Sequence, residues 1–173
     1  MSTCYIDSKF CGEEIGSAHA MKVLKETADG ITEACHADCE RVKMKCLSVR
    51  QPSANAIFFL GKDVENRSWP TTYRGPLLIH ASQRLDREAF HKYGNAGGPL
   101  VTGAIIGIVN LLGMRRNSDS RWAQPDCWHW LLTDAKPLAE PIPGAGKLGI
   151  FEVEIPRGAL KKAQTTNPKG ENL

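Results

Sequence analysis

The chain has 173 residues, of which 42% are hydrophobic and 24% charged, a composition that excludes wholesale disorder. No apolar run approaches the roughly 20 residues of a membrane span, and no segment has signal-peptide features. We therefore expect a cytoplasmic protein, with no membrane partner, whose six cysteines are reduced. Residues 1–40 carry eight acids and three lysines, whereas residues 41–87 carry nine Lys or Arg and three acids. The second pattern is typical of proteins that bind polyanions, although a basic surface also serves solubility alone.

The acidic segment of residues 1–43 is predicted to be an extension, either helical or poorly ordered. Apolar residues recur in it at helical spacing and stop at Gly30, namely Ile15, Ala18, Met21 and Leu24. A second short helix is predicted over "ITEACHADCERVK". We place the domain boundary at residue 44.

A loose cluster of metal-ligand types lies near this boundary, formed by Cys35, His36, Cys39 and Cys46. The spacing lacks the second close cysteine pair of a zinc site. We therefore predict no metal site there, and expect these residues to be small side chains on a helix.

The main domain is predicted to begin with a short strand, Cys46–Arg50, followed by a helix with Pro52 in its first turn. Its expected buried face consists of Ala54, Ile57, Phe58 and Leu60, and Gly61 suits its end. "KDVENR" is predicted to be a strand or extended segment, and "TTYRG" a turn.

Strands dominate the remainder of the chain. "PLLIHAS" is predicted to be a strand, and "SQRLDREAFHKYG" a helix capped by Ser82 and ended by Gly94. The β-branched run in "GAIIGIVNLLGM" predicts a strand, "RRNSDSRWAQPD" a polar loop, and "CWHWLLT" another strand. "KPLAEPIPGAGK" is interpreted as a Pro/Gly loop that cannot form a central strand, because proline lacks a ladder donor.

"LGIFEVEI" is predicted to close a domain spanning residues 44–156, leaving residues 157–173 as a polar tail. Five or six short strands and two helices then make an α+β, mainly β fold. We expect a small, partly open β-barrel with flanking helices.

Candidate ligand-binding residues begin at the strand-to-helix junction. A helix N-terminus offers free N–H groups, so a phosphate could lie there with Arg50 as its charged partner. The alternative is that Gln51 only caps the helix.

The segment "GKDVENRSWPTTYRG" is the strongest candidate for a binding site. In an extended strand, Glu65 and Arg67 point to the same side. If partly buried, this pair would fix the arginine for bidentate contact with a phosphate or a base edge. Trp69 and Tyr73 offer flat faces for unpaired bases, or else pack against the barrel end.

Two histidines and one glycine-rich loop complete the candidates. His80 and His129 are each either a proton shuttle, a base contact or a hydrogen-bonded core residue. "GAGKLG", residues 144–149, is similar to a phosphate loop, but it lacks the full spacing and a Ser or Thr after Lys147. Nucleotide hydrolysis of the P-loop type is therefore excluded.

Five stretches in this order resemble an ASCH domain of the PUA-like superfamily: "CLSVRQPSANAIFFLGKDVENRSW", "YRGPLLIHAS", "GAIIGIVNL", "WHWLLTDAKPL" and "GKLGIFEV". The resemblance covers residues 45–155. It implies a small β-barrel with a cleft beside the G-K-x-x-E-x-R motif, here Gly61, Lys62, Glu65 and Arg67. It also implies binding of RNA or other nucleic acids.

Some relatives are similar to metal-dependent ribonucleases, and another branch removes an acetyl group from modified cytidine. That branch shares Lys62 but uses a threonine nucleophile where Glu65 stands here, and its acidic residue falls near Asn110. Both departures argue against the amidohydrolase. Ser53 replaces the tryptophan of many relatives, which weakens a stacking role at the helix start.

The resulting hypothesis is a module that binds single-stranded RNA or a nucleotide-like ligand, with DNA as an alternative polymer. The expected ligand-binding residues are Arg50, Gln51, Lys62, Glu65, Arg67, Ser68, Trp69, Tyr73, Arg74 and His80. The first alternative is a ribonuclease, in which Lys62 and Glu65 are catalytic and Mn or Mg is held by Glu65 or Asp63. A further alternative is a protein-interaction domain that uses the N-terminal extension.

Overall fold

The computed structural model describes the backbone of residues 21–26, 32–36 and 41–161, and the side chains of residues 41–160. Met44–Val153 form one compact unit, and the described residues before Met44 and after Val153 belong to a second. Its elements in chain order are β1 (Met21–Glu26), β2 (Thr32–His36), β3 (Arg41–Gln51), α1 (Ser53–Phe59), β4 (Val64–Arg67), β5 (Gly75–Leu85), α2 (Arg87–Tyr93), β6 (Ala104–Arg115), β7 (Trp128–Pro143), β8 (Ile150–Pro156) and α3 (Arg157–Lys161). No helix among these is long and apolar enough to cross a membrane.

The main sheet has six strands in the order β4-β7-β6-β5-β3-β8. β3 and β5 run parallel, with Ser48 opposite His80, whereas β5–β6, β6–β7 and β4–β7 are antiparallel. Within the described residues β4 and β8 are the edges, so the sheet is open. The predicted fold class, mainly β with flanking helices, is confirmed.

One core holds the sheet and α1 together. Its strand residues alternate inward, as a half-buried sheet requires, and include Leu47, Val49, Leu77 and Ile79. Helix α1 contributes Ala54, Ile57 and Phe58 to the same cluster. The predicted buried face of this helix is therefore confirmed, except that Leu60 is only half-buried.

The helical interpretation of the N-terminal segment is wrong where it can be compared. β1 and β2 are antiparallel strands, pairing Met21 with His36, and β3 already begins at Arg41. The apolar residues of this segment also suit a strand, and Asp29-Gly30 is a dipeptide typical of hairpins. Cys35 and His36 lie in β2 and Cys46 in β3, so these members of the Cys/His cluster are not on a helix as expected. Residues 1–20 and Cys39 lie outside the described residues.

The start of the second predicted helix also differs from the expectation. Ser82 is not a helix cap, because β5 continues to Leu85 and the Asp86 backbone N–H donates to Gln51 O at 2.8 Å. Asp86 caps α2 instead, since its carboxylate accepts the Ala89 N–H at 3.0 Å. The helix ends at Gly94, as predicted.

The Pro/Gly segment after residue 136 was interpreted as a loop, which is wrong up to Pro143. β7 extends through it and lies between β4 and β6. β4 pairs with only the first four residues of β7, Trp128–Leu131, so the proline-rich half has β6 as its neighbour. Between Pro137 and Ile142 the register also shifts, a bulge at which proline is tolerated.

Candidate functional site

A cleft of about 1140 Å³ opens within the Met44–Val153 unit. Its walls come from β3, α1, β4, the far end of β5, α2 and two loops, residues 121–124 and 144–149. The predicted segment around β4 therefore faces an open volume of ligand size.

The buried side of the cleft holds an ion-pair array of Lys62, Glu65 and Arg67. Gly61, with a φ of +65°, ends α1 in the left-handed region, and the following Lys62 N–H donates to Ala56 O at 2.9 Å. Lys62 Nζ donates to Val64 O at 2.6 Å and to Glu65 Oε2. The side chains of Lys62 and Glu65 are only 4% and 9% exposed, so this pair is shielded from water.

Glu65 is held between two cations. Its second oxygen, Oε1, lies 3.4 Å from Arg67 Nη2, and the same Nη2 donates to Ser48 O at 2.6 Å. Arg67 Nε is buried and has no hydrogen-bond partner. The array thus neutralises Glu65 internally and fixes the position of Arg67, which lines the cleft.

Ser48 and His80, partners across β3 and β5, form the next part of the wall. His80 Nε2 lies 3.0 Å from Gly144 O, which can only accept, so Nε2 carries a proton. Nδ1 lies 3.3 Å from Ser48 Oγ, and in the tautomer that carries its proton on Nε2 it accepts from this hydroxyl. Gly146 packs on this pair so closely that a Cβ there would lie 2.6 Å from Ser48 Oγ and from His80 Cε1. The loop of residues 144–149 is thereby seated on the cleft wall.

The opposite wall is held by Asn66. Its Nδ2 donates to Trp122 O at 2.9 Å, and its Oδ1 accepts from Gln124 N at 3.1 Å. The Trp122 ring lies 5.1 Å from the Tyr93 ring, and the Arg121 guanidinium lies 5.1 Å from the Trp122 ring. This wall therefore combines flat aromatic surface with a cation.

The cleft has a strong excess of positive charge. Its lining includes seven basic side chains, Arg50, Lys62, Arg67, Arg84, Lys92, Arg121 and Lys147. It includes two acids, Glu65 and Asp86, and both are engaged within the protein, Glu65 by the array and Asp86 at the start of α2. An anionic ligand would meet cations without a competing free carboxylate.

Six of the ten predicted binding residues line this cleft: Arg50, Lys62, Glu65, Arg67, Trp69 and His80. Trp69 packs edge-on against Trp130, with ring centroids 4.6 Å apart, and it also lines the cleft, so its stacking on a base stays a prediction. The other four, Gln51, Ser68, Tyr73 and Arg74, do not line it.

Gln51 is fully buried and has a structural role. Its Nε2 donates to Asn55 Oδ1 at 2.8 Å and to Val101 O at 2.9 Å, and its Oε1 accepts the Asn55 N–H at 3.1 Å. It therefore satisfies the start of α1 itself, as the alternative interpretation expected.

Tyr73 and Arg74 lie beside the far end of β6. The Tyr73 hydroxyl donates to Pro76 O, and burial raises the pKa of this phenol, although the positive charge of Lys45 opposes the shift. Arg74 Nη1 donates to Thr71 O at 3.0 Å.

His129 is buried, with Nε2 2.7 Å from Gln124 O, and does not line the cleft.

Four cationic lining residues and two aromatic ones were missed by the sequence interpretation. They are Arg84, Lys92, Arg121 and Lys147, with Tyr93 and Trp122. Lys147 could have been identified, because it lies in "GAGKLG", the segment that is similar to a phosphate loop. The others lie in segments interpreted only as helix or polar loop.

A divalent metal does not fit the donors at this cleft. Glu65 faces two cations, and Asp63 does not line the cleft and accepts from Ser120 Oγ. Within the part of the chain with described side chains, no group of three or more His, Cys, Asp or Glu could hold a metal ion. Hard cations prefer several anionic oxygens, which this lining does not offer.

The family comparison agrees with this architecture. The ASCH domain family matches residues 47–141, more than half of the chain, and the match includes the array and most of the cleft. No curated protein matches the sequence. ASCH domains have the PUA-like fold, a fold of RNA-binding domains, and the mainly β domain with its flanking helices is consistent with it. The chain belongs to the ASCH domain family.

Proposed function

We propose that the protein binds single-stranded RNA, or a nucleotide-like ligand, in the cleft beside β4. The observation that carries the proposal is the charge of the lining, seven basic side chains against two acids that are already paired. Phosphates supply the complementary charge, and counterion release would favour their binding.

The proposed roles differ between the buried side and the rim. Arg67, oriented by Glu65 and Ser48 O, donates to a phosphate or to a base carbonyl. Arg50, Arg121 and Lys147 contribute charge at the rim, where they contact phosphates without deep burial.

Single strands are favoured over duplexes by the aromatic lining. Trp69, Tyr93 and Trp122 are each half-buried and line the cleft. Unpaired bases stack on such faces, whereas the bases of a duplex are already stacked on each other.

The ribonuclease hypothesis receives less support from this geometry. Its metal would have to displace Lys62 or Arg67 from Glu65. The amidohydrolase hypothesis has a similar difficulty, because Asn110, near which the acidic residue of that branch falls, does not line the cleft.

The test is a fluorescence anisotropy titration with a labelled single-stranded 12-nucleotide RNA over a range of salt concentrations. The variants are Arg50→Ala, Arg121→Ala and Lys147→Ala, three exposed positions whose loss should leave folding intact. Lys136→Ala is the matched control, since Lys136 is exposed and does not line the cleft. Each lost phosphate contact should reduce the salt slope by about 0.7, and the control should leave it unchanged.

Parallel reactions on denaturing gels, with manganese or with EDTA, test the ribonuclease. RNA that stays intact while it binds supports the binding module. Cleavage that depends on metal would replace it by the enzyme, and absence of salt-sensitive binding to RNA or nucleotides would overturn the proposal altogether.

A further inference from the structure

A second exposed basic surface lies outside the cleft, near the β4 end of the sheet. It consists of Arg74, Arg115, Arg116 and Trp128, and is called the arginine patch below. The Arg116 guanidinium lies 4.5 Å from the centre of the Trp128 ring. Arg115 is exposed at the end of β6, and Arg74 Nε lies beside Gly113 of the same strand. In the part of the chain with described side chains, none of these arginines forms an ion pair with an acid.

The arginine patch is continuous with the cleft. Trp128 stands directly opposite Arg67 in the antiparallel β4–β7 pair, so their side chains share one face about 5 Å apart. Trp130, two residues along on that face, packs against Trp69, which lines the cleft. Glu65, which stands opposite Trp130 on this face, is already paired with Lys62 and Arg67. The step from Arg67 to Trp128 and Arg116 therefore passes over cationic and aromatic side chains.

The chemistry of the arginine patch matches a nucleic-acid strand better than a small anion. A guanidinium held flat over an indole ring offers its other face for stacking of a base. Arg115 pairs with His129 and so points to the other face of the sheet than Trp128, but it and Arg74 are exposed at this end of β6 and keep donors for phosphates. A free nucleotide bound in the cleft would use none of these groups.

We propose that the arginine patch binds the nucleotides that follow those held in the cleft, so that the ligand is a strand and not a free nucleotide. This inference rests on the proposed function and extends it. The cleft holds the first few nucleotides, and the strand leaves past Trp128 and Arg116.

The test compares oligouridines of 3 and 12 nucleotides as probes for the intact chain. Arg116→Ala should weaken binding of the 12-mer about fivefold or more, the effect of losing one stacked base, and leave 3-mer binding within about twofold. Lys136→Ala removes the same charge at an exposed position outside the arginine patch and should change neither affinity. Arg116→Lys retains the charge but not the flat guanidinium, and should recover less than half of the lost binding free energy.

The outcomes separate this inference from the proposed function. If wild-type protein binds the 12-mer through Arg50, Arg121 and Lys147 while Arg116→Ala has no effect on it, the arginine patch is not a binding surface and the cleft proposal stands. Equal loss of 3-mer and 12-mer binding in Arg116→Ala would also overturn the inference, because the residue would then act at the cleft itself. If wild-type protein binds neither probe nor nucleotides, the proposed function fails first.

Discussion

Replacing Lys62 by methionine should strongly destabilise the protein. Methionine has a similar length but no charge, so the main loss is the ammonium group that bonds Glu65 and Val64 O. The Glu65 carboxylate, 9% exposed, would keep only the 3.4 Å contact with Arg67. Breaking one side of a buried ion pair costs about 3–5 kcal/mol in the free energy of unfolding. Because Arg67 remains nearby, we expect the lower end, about 3 kcal/mol.

The chain offers a matched control in Lys45→Met. Lys45 Nζ pairs with Glu152 Oε1 at 3.0 Å, but the two side chains are 40% and 61% exposed. The same substitution there should change stability by less than about 1 kcal/mol, because water replaces the partner. Comparing the two positions isolates the effect of burial from that of losing a lysine.

The assay is urea unfolding followed by tryptophan fluorescence, with the cycle completed by Glu65→Gln and the double variant. The double variant removes both charges of the pair, so it should be about 2 kcal/mol more stable than the sum of the single effects predicts. If Lys62→Met costs less than about 1 kcal/mol, or the cycle shows no coupling, the pair is solvated and this reasoning is refuted.

Three more predictions concern the cleft and the core. Gly146→Ala forces a Cβ to within 2.6 Å of the Ser48–His80 pair, so it should displace the loop and weaken RNA binding in anisotropy titrations, with little change in urea midpoint. Asn66→Ala removes the side-chain hydrogen bonds to Trp122 O and from Gln124 N. It should lower the free energy of unfolding by about 1–3 kcal/mol and also weaken RNA binding. Unchanged RNA binding would show that the ligand does not contact the wall of residues 121–124. Burial raises the pKa of the Cys46 thiol from 9.0 to about 12. The stabilisation by the buried neutral thiol is therefore complete below pH 9 and is lost between pH 9 and 12. The free energy of unfolding, measured against pH, should fall in this range, and Cys46→Ala should reduce the slope.

Most strands of the main sheet and helix α1 could be predicted from local patterns in the sequence. The β-branched run within residues 104–111 favours a strand over a helix, so β6 could be predicted from it. The proline-rich half of β7 could not be predicted, because proline is excluded only where a strand has neighbours on both sides. That neighbour relation depends on how short β4 is, which is a tertiary property.

The site could be predicted only in part, because part of its lining comes from segments that are distant from each other in the chain. Lys62, Glu65 and Arg67 lie within one short segment, so their proximity followed from strand geometry. Arg121 and Lys147 reach the cleft from loops about 60 and 85 residues away from Lys62 in the chain. Each looked like an ordinary surface cation, because no local pattern records which loop faces which wall.

The ion-pair array explains how a carboxylate and a cationic cleft coexist. An unpaired Glu65 at this position would repel phosphates, and removing it would leave Lys62 and Arg67 without a carboxylate partner, with only the carbonyl oxygens of Val64 and Ser48. By bonding Lys62 through one oxygen and facing Arg67 through the other, Glu65 has its charge satisfied inside the protein. The cost of burying these charges is offset by fixed hydrogen bonds to Val64 O and Ser48 O. Arg67 is thereby held ready at the cleft, and little side-chain entropy is left to lose when a ligand binds.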